Sequence, residues 1–281
     1  MSMTDQAADA GQDEKKPTAL GETVEIVKTV VYALGIALFL RVLFFQPFTI
    51  PSESMEPALL RGDYIIVSKW SYGYSRHSIP FSPPIFSGRI FGSQPQRGDI
   101  IVFKLPRDGR TDYIKRLIGL PGDHIQVRGG QVFINNVAVP RRPIGRVEDP
   151  GARGMMVEQV RETLPNGRTY VTFDEGPQQA DDTGVYVVPP NCYFMMGDNR
   201  DNSLDSRFNP GLAGADDHGC HWTLPADAEI GYQAGVGFVP AENLVGRAQI
   251  ILLSWDAEAS IFQPWTWFTH ARPSRFFRGL N

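Results

Sequence analysis

The chain has 281 residues, 27 Lys and Arg against 31 Asp and Glu, a formal charge of −4, and 42% hydrophobic residues. This balance excludes a disordered chain and a basic nucleic-acid-binding protein, and two cysteines exclude a disulfide-built scaffold or a four-cysteine zinc site. The 28 glycines and 22 prolines point to turn-dense β structure rather than a helical bundle.

Residues 1–23 are small and polar, with Asp5, Asp9, Asp13 and Glu14 beside Lys15 and Lys16, and read as a flexible tail. Residues 24–45 read VEIVKTVVYALGIALFLRVLFF, interrupted only by Glu25, Lys28 and Arg41. As a helix, Thr29–Phe45 rises roughly 25 Å, close to the ~30 Å of a bilayer core. Lys28 and Arg41 lie toward its ends, where long side chains snorkel. No small-x-small cleavage site follows, which disfavours a cleaved leader. A membrane anchor is expected, with a buried amphipathic helix as the alternative.

Pro47, Pro51 and Pro57 keep residues 46–57 (QPFTIPSESMEP) extended. Tyr64–Trp70 and Asp99–Pro106 are expected strands. Residues 72–97 form a proline-rich loop carrying Phe81, Ile85, Phe86, Ile90 and Phe91, which either touches lipid or an apolar ligand or folds back on the core. YIKRLIGLPGD follows from Tyr113 and closes in the Pro121-Gly122-Asp123 turn. Gly129-Gly130 and Pro165-Asn166-Gly167 mark two hairpins in a satellite β region over 126–190. Val185–Asp198 is expected to return to the main sheet. A Gly- and Asp-rich insertion covers 208–237, and Ala248–Trp255 is the last strand. The end of the chain mixes Trp265, Trp267, Phe268, Phe276 and Phe277 with Arg272, Arg275 and Arg278, which suits either a second membrane-surface contact or a segment packed on the core.

Three segments hold residues that can carry chemistry. Ser52 and Ser54 sit in the proline-stiffened PSESMEP, where a rigid backbone can present one hydroxyl as nucleophile and another as donor. The G-x-S-x-G and S-x-x-K frames are both absent. None of the five histidines has an evident Asp partner in sequence, although triads assemble only in space. Lys115, among Tyr113, Ile114, Leu117 and Ile118, is the other base: a lysine in an apolar wall loses hydration, and its pKa falls toward neutrality. By itself it reads more readily as a surface lysine at a strand end. The run Gly197–Arg207, GDNRDNSLDSR, is rich in turn-forming Asp and Asn. It does not fit a calcium loop, because Ser206 follows Asp205 where that frame has Gly.

PSESMEP, the RGD of Arg97–Asp99 leading into DIIVFKLP, YIKRLIGLPGD and GDNRDNSLDSR occur in this order after an apolar N-terminal segment, and GFVPAENLVGRA follows. Together they resemble bacterial type I signal peptidases, the leader peptidase family of membrane-bound Ser–Lys endopeptidases, from about residue 24 to 255. The resemblance implies a mainly β fold: an antiparallel β catalytic core (46–125 and 191–255) with a smaller β subdomain (126–190), preceded by one transmembrane helix and followed by the aromatic and basic segment 256–281. It implies Ser54 as nucleophile and Lys115 as general base. Ser52 and the Ser54 amide would form the oxyanion hole, Ser203 would orient the lysine, and Asp205 and Arg207 would stabilise the loop. Phe48, Ile50, Pro51, Tyr113 and Ile114 match positions lining shallow pockets for small residues at the first and third positions before the cut. The implied partners are preprotein signal peptides and the lipid bilayer, with no nucleic acid, cofactor or metal. The implied location is the outer face of the bacterial inner membrane, with the tail in the cytoplasm.

The sequence departs from the family pattern at Ala58, where Thr is common, and in the insertion 208–237 before the FVP motif. That insertion contains Asp216, Asp217, His218, Cys220 and His221, a conceivable metal set. Cys220 is alternatively a partner for Cys192, a pairing the sequence leaves open. Other readings are a relative that processes a narrow set of exported proteins and an inactive binding or assembly module. A self-cleaving repressor shares the chemistry, but the acidic tail supplies no DNA-binding domain.

Overall fold

The computed structural model describes residues 19–79, 82–151, 154–211, 219–222, 234–256 and 265–280. The chain forms two units, Met1–Arg41 and Val42–Asn281. The first is dominated by helix α1 (Ala19–Leu43), with Glu22 in its first turn and Arg41 in its last, both complementing the helix dipole. Its Glu22–Arg41 stretch is long and apolar enough to cross a membrane, with mean hydropathy 1.8, and none of it is buried. Val30, Val31, Leu34, Ile36, Leu38 and Phe39 are all exposed, so apolar side chains surround the helix. A soluble amphipathic helix instead confines them to one stripe and buries it. The helix is thus apolar all round rather than amphipathic. The helix stops at Leu43, two residues before the expected limit, because the chain enters strand β1 (Phe45–Thr49), where Pro47 cannot continue a helix.

The second unit is mainly antiparallel β. Its further strands are β2 (Asp63–Ser68), β3 (Ile100–Lys104), β4 (Asp112–Gly119), β5 (His124–Arg128), β6 (Gln131–Ile134), β7 (Val137–Ala138), β8 (Arg141–Glu148), β9 (Met156–Thr163), β10 (Thr169–Asp174), β11 (Tyr186–Val187), β12 (Cys192–Met196), β13 (Val239–Pro240), β14 (Leu244–Ser254) and β15 (Arg278–Gly279). The main sheet runs β1-β2-β14-β3-β4-β12-β13, with β15 on β14. Strand alternation sends Ile100 and Val102 into one core cluster and Ile101 and Phe103 into another, so β3 is buried on both faces.

The expected satellite region divides into two sheets, β10-β9-β8 and β11-β5-β6-β7. Each grows from its own hairpin: β5–β6 around Gly129-Gly130, and β9–β10 around Pro165-Asn166-Gly167. Tyr186 and Val187 pair with β5 instead of joining the main sheet. Pro189-Pro190 then interrupts the ladder, and the chain enters the main sheet only at Cys192.

Two ambiguous segments divide between core and surface. In the loop after β2, Tyr72, Ser75, His77 and Ser78 are buried, while Ile85, Ile90 and Phe91 are exposed. Near the end of the chain, Arg275 forms a two-pronged pair with Asp63 at 3.1 and 2.5 Å, and Leu280 joins the core. Trp265, Trp267, Phe268 and Phe277 remain exposed.

Candidate active site

β4 pairs with β3 along Asp112–Arg116, but β12 covers its other edge only along Arg116–Gly119. Among the described residues, 112–115 therefore keep one edge with free backbone groups, the feature an extended peptide needs to add as a strand. This edge borders a cavity of about 720 Å³ lined by Pro51, Ser52, Ser54, Thr111–Lys115, Gln178–Ala180, Arg200–Leu204 and Phe208.

The turn after β1 brings Ser54 to β4. Ile50 donates its N–H to Asp63 and Glu56 donates to Glu53, while Met55 and Leu59 are buried beneath the turn. Ser54 Oγ lies 2.6 Å from Lys115 Nζ. Ser52 Oγ lies 3.3 Å from Ser54 Oγ. Among the described residues, the Ser54 N–H has no acceptor. A hydroxyl and a free amide thus flank the nucleophile candidate, as an oxyanion hole requires.

Lys115 is 4% exposed. Burial pushes its ammonium down to about 8, against the pull of the Asp205 and Asp198 carboxylates and with help from the Arg207 charge. Such a lysine is partly neutral near physiological pH and can take a hydroxyl proton. Its neighbour Arg116 points to the opposite face of β4, where it grips Asp198 at 2.7 and 2.6 Å and donates to the Gly98 carbonyl. That pair joins the start of β3 to the loop after β12.

The loop Gly197–Arg207 closes the site. Asp205 is fully buried and accepts from the Ser203 hydroxyl at 2.9 Å, the Gly197 N–H at 3.0 Å and the Arg207 guanidinium at 2.9 and 3.0 Å. Burial favours the neutral carboxyl, but the charge and hydrogen bonds of Arg207 win and hold it below the usual carboxylate range. Ser203 therefore spends its proton on Asp205, and it lines the same cavity as Lys115. Of the expected pocket residues, Pro51, Tyr113 and Ile114 line the cavity. Ile50 is instead buried in the core cluster that Phe48 packs against.

Sequence reasoning passed over Gly197. A Cβ there would lie 2.3 Å from Ser203 Oγ and 2.5 Å from the Ser54 carbonyl oxygen. Only glycine lets the two serine-bearing segments approach this closely. Its place directly before the Asp198 run was the available signal. Gln178–Ala180 carried no local signal, and the pairing of Arg116 with Asp198 was not visible because the two lie 82 positions apart.

The chain matches the family described as "Signal peptidase, peptidase S26" over residues 23–255. It belongs to the signal peptidase family. Signal peptidase I of Rickettsia typhi is 39% identical over 269 residues, covering 89% of this chain and 90% of its own. That of Rickettsia canadensis is 37% identical over 287 residues, covering 96% of this chain and 98% of its own. A solved signal peptidase I from Enterococcus faecalis is 25% identical over 55% of this chain and 97% of its own, with a TM-score of 0.28.

Two departures from the family pattern are now placed. Cys192 and Cys220 form a disulfide with Cα atoms 5.7 Å apart, so the Cys220 thiolate is not free to join a metal set. Asp216, Asp217 and His218 lie outside the described residues. Ala58 packs partly buried against the core below the serine turn.

Glu56, two residues after Ser54, is a second titrating group in this signal peptidase fold. Burial raises its carboxyl to about 8, with the charge and hydrogen bond of Asp149 and the charge of Glu53 adding, against a backbone bond from Arg61. Because this lies above the ordinary value, the folded chain retains a proton that the unfolded chain releases between the two. Stability from this group is full at low pH and is lost as pH rises toward about 8. Thermal melts of Glu56→Gln are expected to show a shallower fall in Tm between pH 5 and pH 8 than wild type. An unchanged slope would mean that Glu56 is ionised throughout.

Proposed function

We propose that this chain is a membrane-anchored serine endopeptidase that removes N-terminal signal peptides from exported preproteins. The observation that carries this reading is the Ser54 Oγ–Lys115 Nζ contact of 2.6 Å beside the open edge of β4. The preprotein lies as an added strand along residues 112–115, and the cavity beside Pro51, Tyr113 and Ile114 takes the small residues at the first and third positions before the cut. Helix α1 anchors the enzyme, with the catalytic unit on the outer face of the inner membrane and the tail in the cytoplasm.

Neutral Lys115 takes the Ser54 proton as Oγ attacks the scissile carbonyl. Ser52 Oγ and the Ser54 N–H donate to the oxyanion. The Lys115 ammonium then returns the proton to the leaving amine. Water next attacks the acyl-enzyme, with Lys115 again as base, and frees the signal peptide. Asp205, held by Arg207, fixes the loop whose Ser203 lines the same cavity as the lysine, and this rigid wall keeps Lys115 aimed at Ser54.

The test uses the full chain in detergent with a preprotein carrying an Ala-x-Ala site, the cut being mapped by mass spectrometry. Cleavage after the second Ala by wild type, lost in Ser54→Ala, is expected. Absence of cleavage by folded wild type would move the reading to a narrow-specificity relative or a binding module. In the same assay Ser52→Ala is expected to lower kcat by about 10²–10³-fold, the usual effect of one lost oxyanion donor, with KM little changed. An unaltered kcat would remove Ser52 from the oxyanion hole.

A further inference from the structure

The insertion after Arg207 has no part in the chemistry above, yet its described residues converge on the backbone of the loop that lines the cavity with Lys115. Cys220 is bonded to Cys192, the first residue of the strand that runs into Gly197. Two residues on, Trp222 donates its indole N–H to the Ser206 carbonyl at 3.1 Å. Its ring packs 5.7 Å from that of Tyr186, and the Tyr186 hydroxyl donates to the Arg207 carbonyl at 2.7 Å. Where the insertion returns, Val236 donates to the Asp205 carbonyl at 3.0 Å and Gly235 to the Asn209 carbonyl at 2.8 Å.

Three consecutive carbonyls, those of Asp205, Ser206 and Arg207, are thus each held by a donor from the insertion or from the tyrosine it packs on. Such carbonyls need partners when buried, and a loop has none from a ladder. The return segment also fits tightly: a Cβ on Gly235 would lie 2.3 Å from Phe208 Cβ and 2.8 Å from the Asp205 carbonyl oxygen. The same Asp205 receives Ser203 and Gly197 through its side chain. Its backbone is thereby tied to the insertion and its carboxylate to the site.

We propose that the described residues of the insertion, tied by Cys192–Cys220, act as a strap in which Trp222 is a positioning residue that holds the Ser203–Arg207 loop beside Lys115. It acts through the loop and does not touch the substrate. Loosening it lets water reach the lysine, whose low pKa comes chiefly from burial. Two effects follow: a slower chemical step, and a lysine that needs higher pH to become neutral.

This inference rests on the endopeptidase reading, and the experiment separates the two. Wild type, Ser54→Ala, Trp222→Ala, Trp222→Phe and Cys220→Ser are compared as full chains on the same preprotein. Trp222→Ala is expected to lower kcat about tenfold with KM within about twofold, and to move the rising limb of the kcat/KM–pH profile to higher pH. Trp222→Phe keeps the ring but not the donor, so it is expected to fall between wild type and Trp222→Ala. Cys220→Ser is expected to show the same pH displacement. Wild-type kcat and an unmoved limb in Trp222→Ala would overturn the strap. A rise in KM alone would also overturn it, by making Trp222 part of the substrate site. Hydrogen exchange followed by mass spectrometry gives a readout that needs no turnover: Trp222→Ala is expected to speed exchange at residues 203–207 and not in the β9–β10 hairpin. Equal exchange at both would overturn the strap, whereas loss of cleavage by wild type itself would count only against the endopeptidase reading.

Discussion

Replacing Lys115 with methionine is expected to abolish preprotein cleavage while making the folded protein more stable. Methionine keeps most of the length and volume of the lysine stem but can accept no proton, so Ser54 is left with an unassisted hydroxyl 2.6 Å from where the amine stood. Activation of a serine by an adjacent base is the step that makes it a nucleophile at neutral pH, so the expected loss is to background. Stability moves the other way. Burial lowers the Lys115 ammonium from 10.5 to about 8, so below pH 8 the folded chain carries a charge that the interior disfavours. A displacement of that size corresponds to a cost on the order of 3 kcal/mol, which methionine removes. The Tm of Lys115→Met at pH 7 should therefore exceed that of wild type. The same lysine sets the sign of the pH dependence: its neutral form grows as pH rises through about 8, so wild-type kcat/KM should climb over that range and level above it. A profile that falls there, or undiminished cleavage by Lys115→Met, would assign the base to another group.

Gly197→Ala is expected to lower kcat on the order of 10²-fold, the usual effect of displacing a catalytic group by about 1 Å. The added methyl meets Ser203 Oγ at 2.3 Å, Ser203 Cβ at 2.5 Å and the Ser54 carbonyl oxygen at 2.5 Å. One of these contacts is backbone, so a side-chain rotation cannot clear it. Moving it also disturbs the bond from the Asn199 N–H to the Ser54 carbonyl. Either the Ser54 turn or the Ser203 loop must shift, and both border Lys115. Circular dichroism alongside the kinetics separates a displaced site from an unfolded chain. Activity within a few-fold of wild type in a folded variant would show that the loop yields without consequence.

Much of the fold is visible in local patterns. The apolar run of α1, the strands around Ile65 and Ile101, and the hairpins at Gly129-Gly130 and Pro165-Asn166-Gly167 each have a short-range cause in hydropathy or turn chemistry. The division of the satellite region into two sheets was not visible, because which ladder a two-residue strand such as Tyr186–Val187 joins depends on neighbours distant in sequence. Ile50 shows the same limit: its residue type suits a pocket wall or a core equally, and only packing beside Met55 and Leu59 places it in the core.

The sequence by itself determined the family, through motifs in a fixed order, and it offered Ser54 and Lys115 as the candidate nucleophile and base. It also determined where the chain must extend, turn or run as an apolar helix, since these follow from bonds within a few residues. Only the tertiary structure decided that Ser54 and Lys115, 61 positions apart, meet. It likewise decided that the lysine is buried, that Cys192 finds Cys220, and that an insertion ties down the loop beside the site. The reason is physical: desolvation, disulfide pairing and the satisfaction of buried carbonyls depend on what lies within a few ångströms in space, whatever its place along the chain.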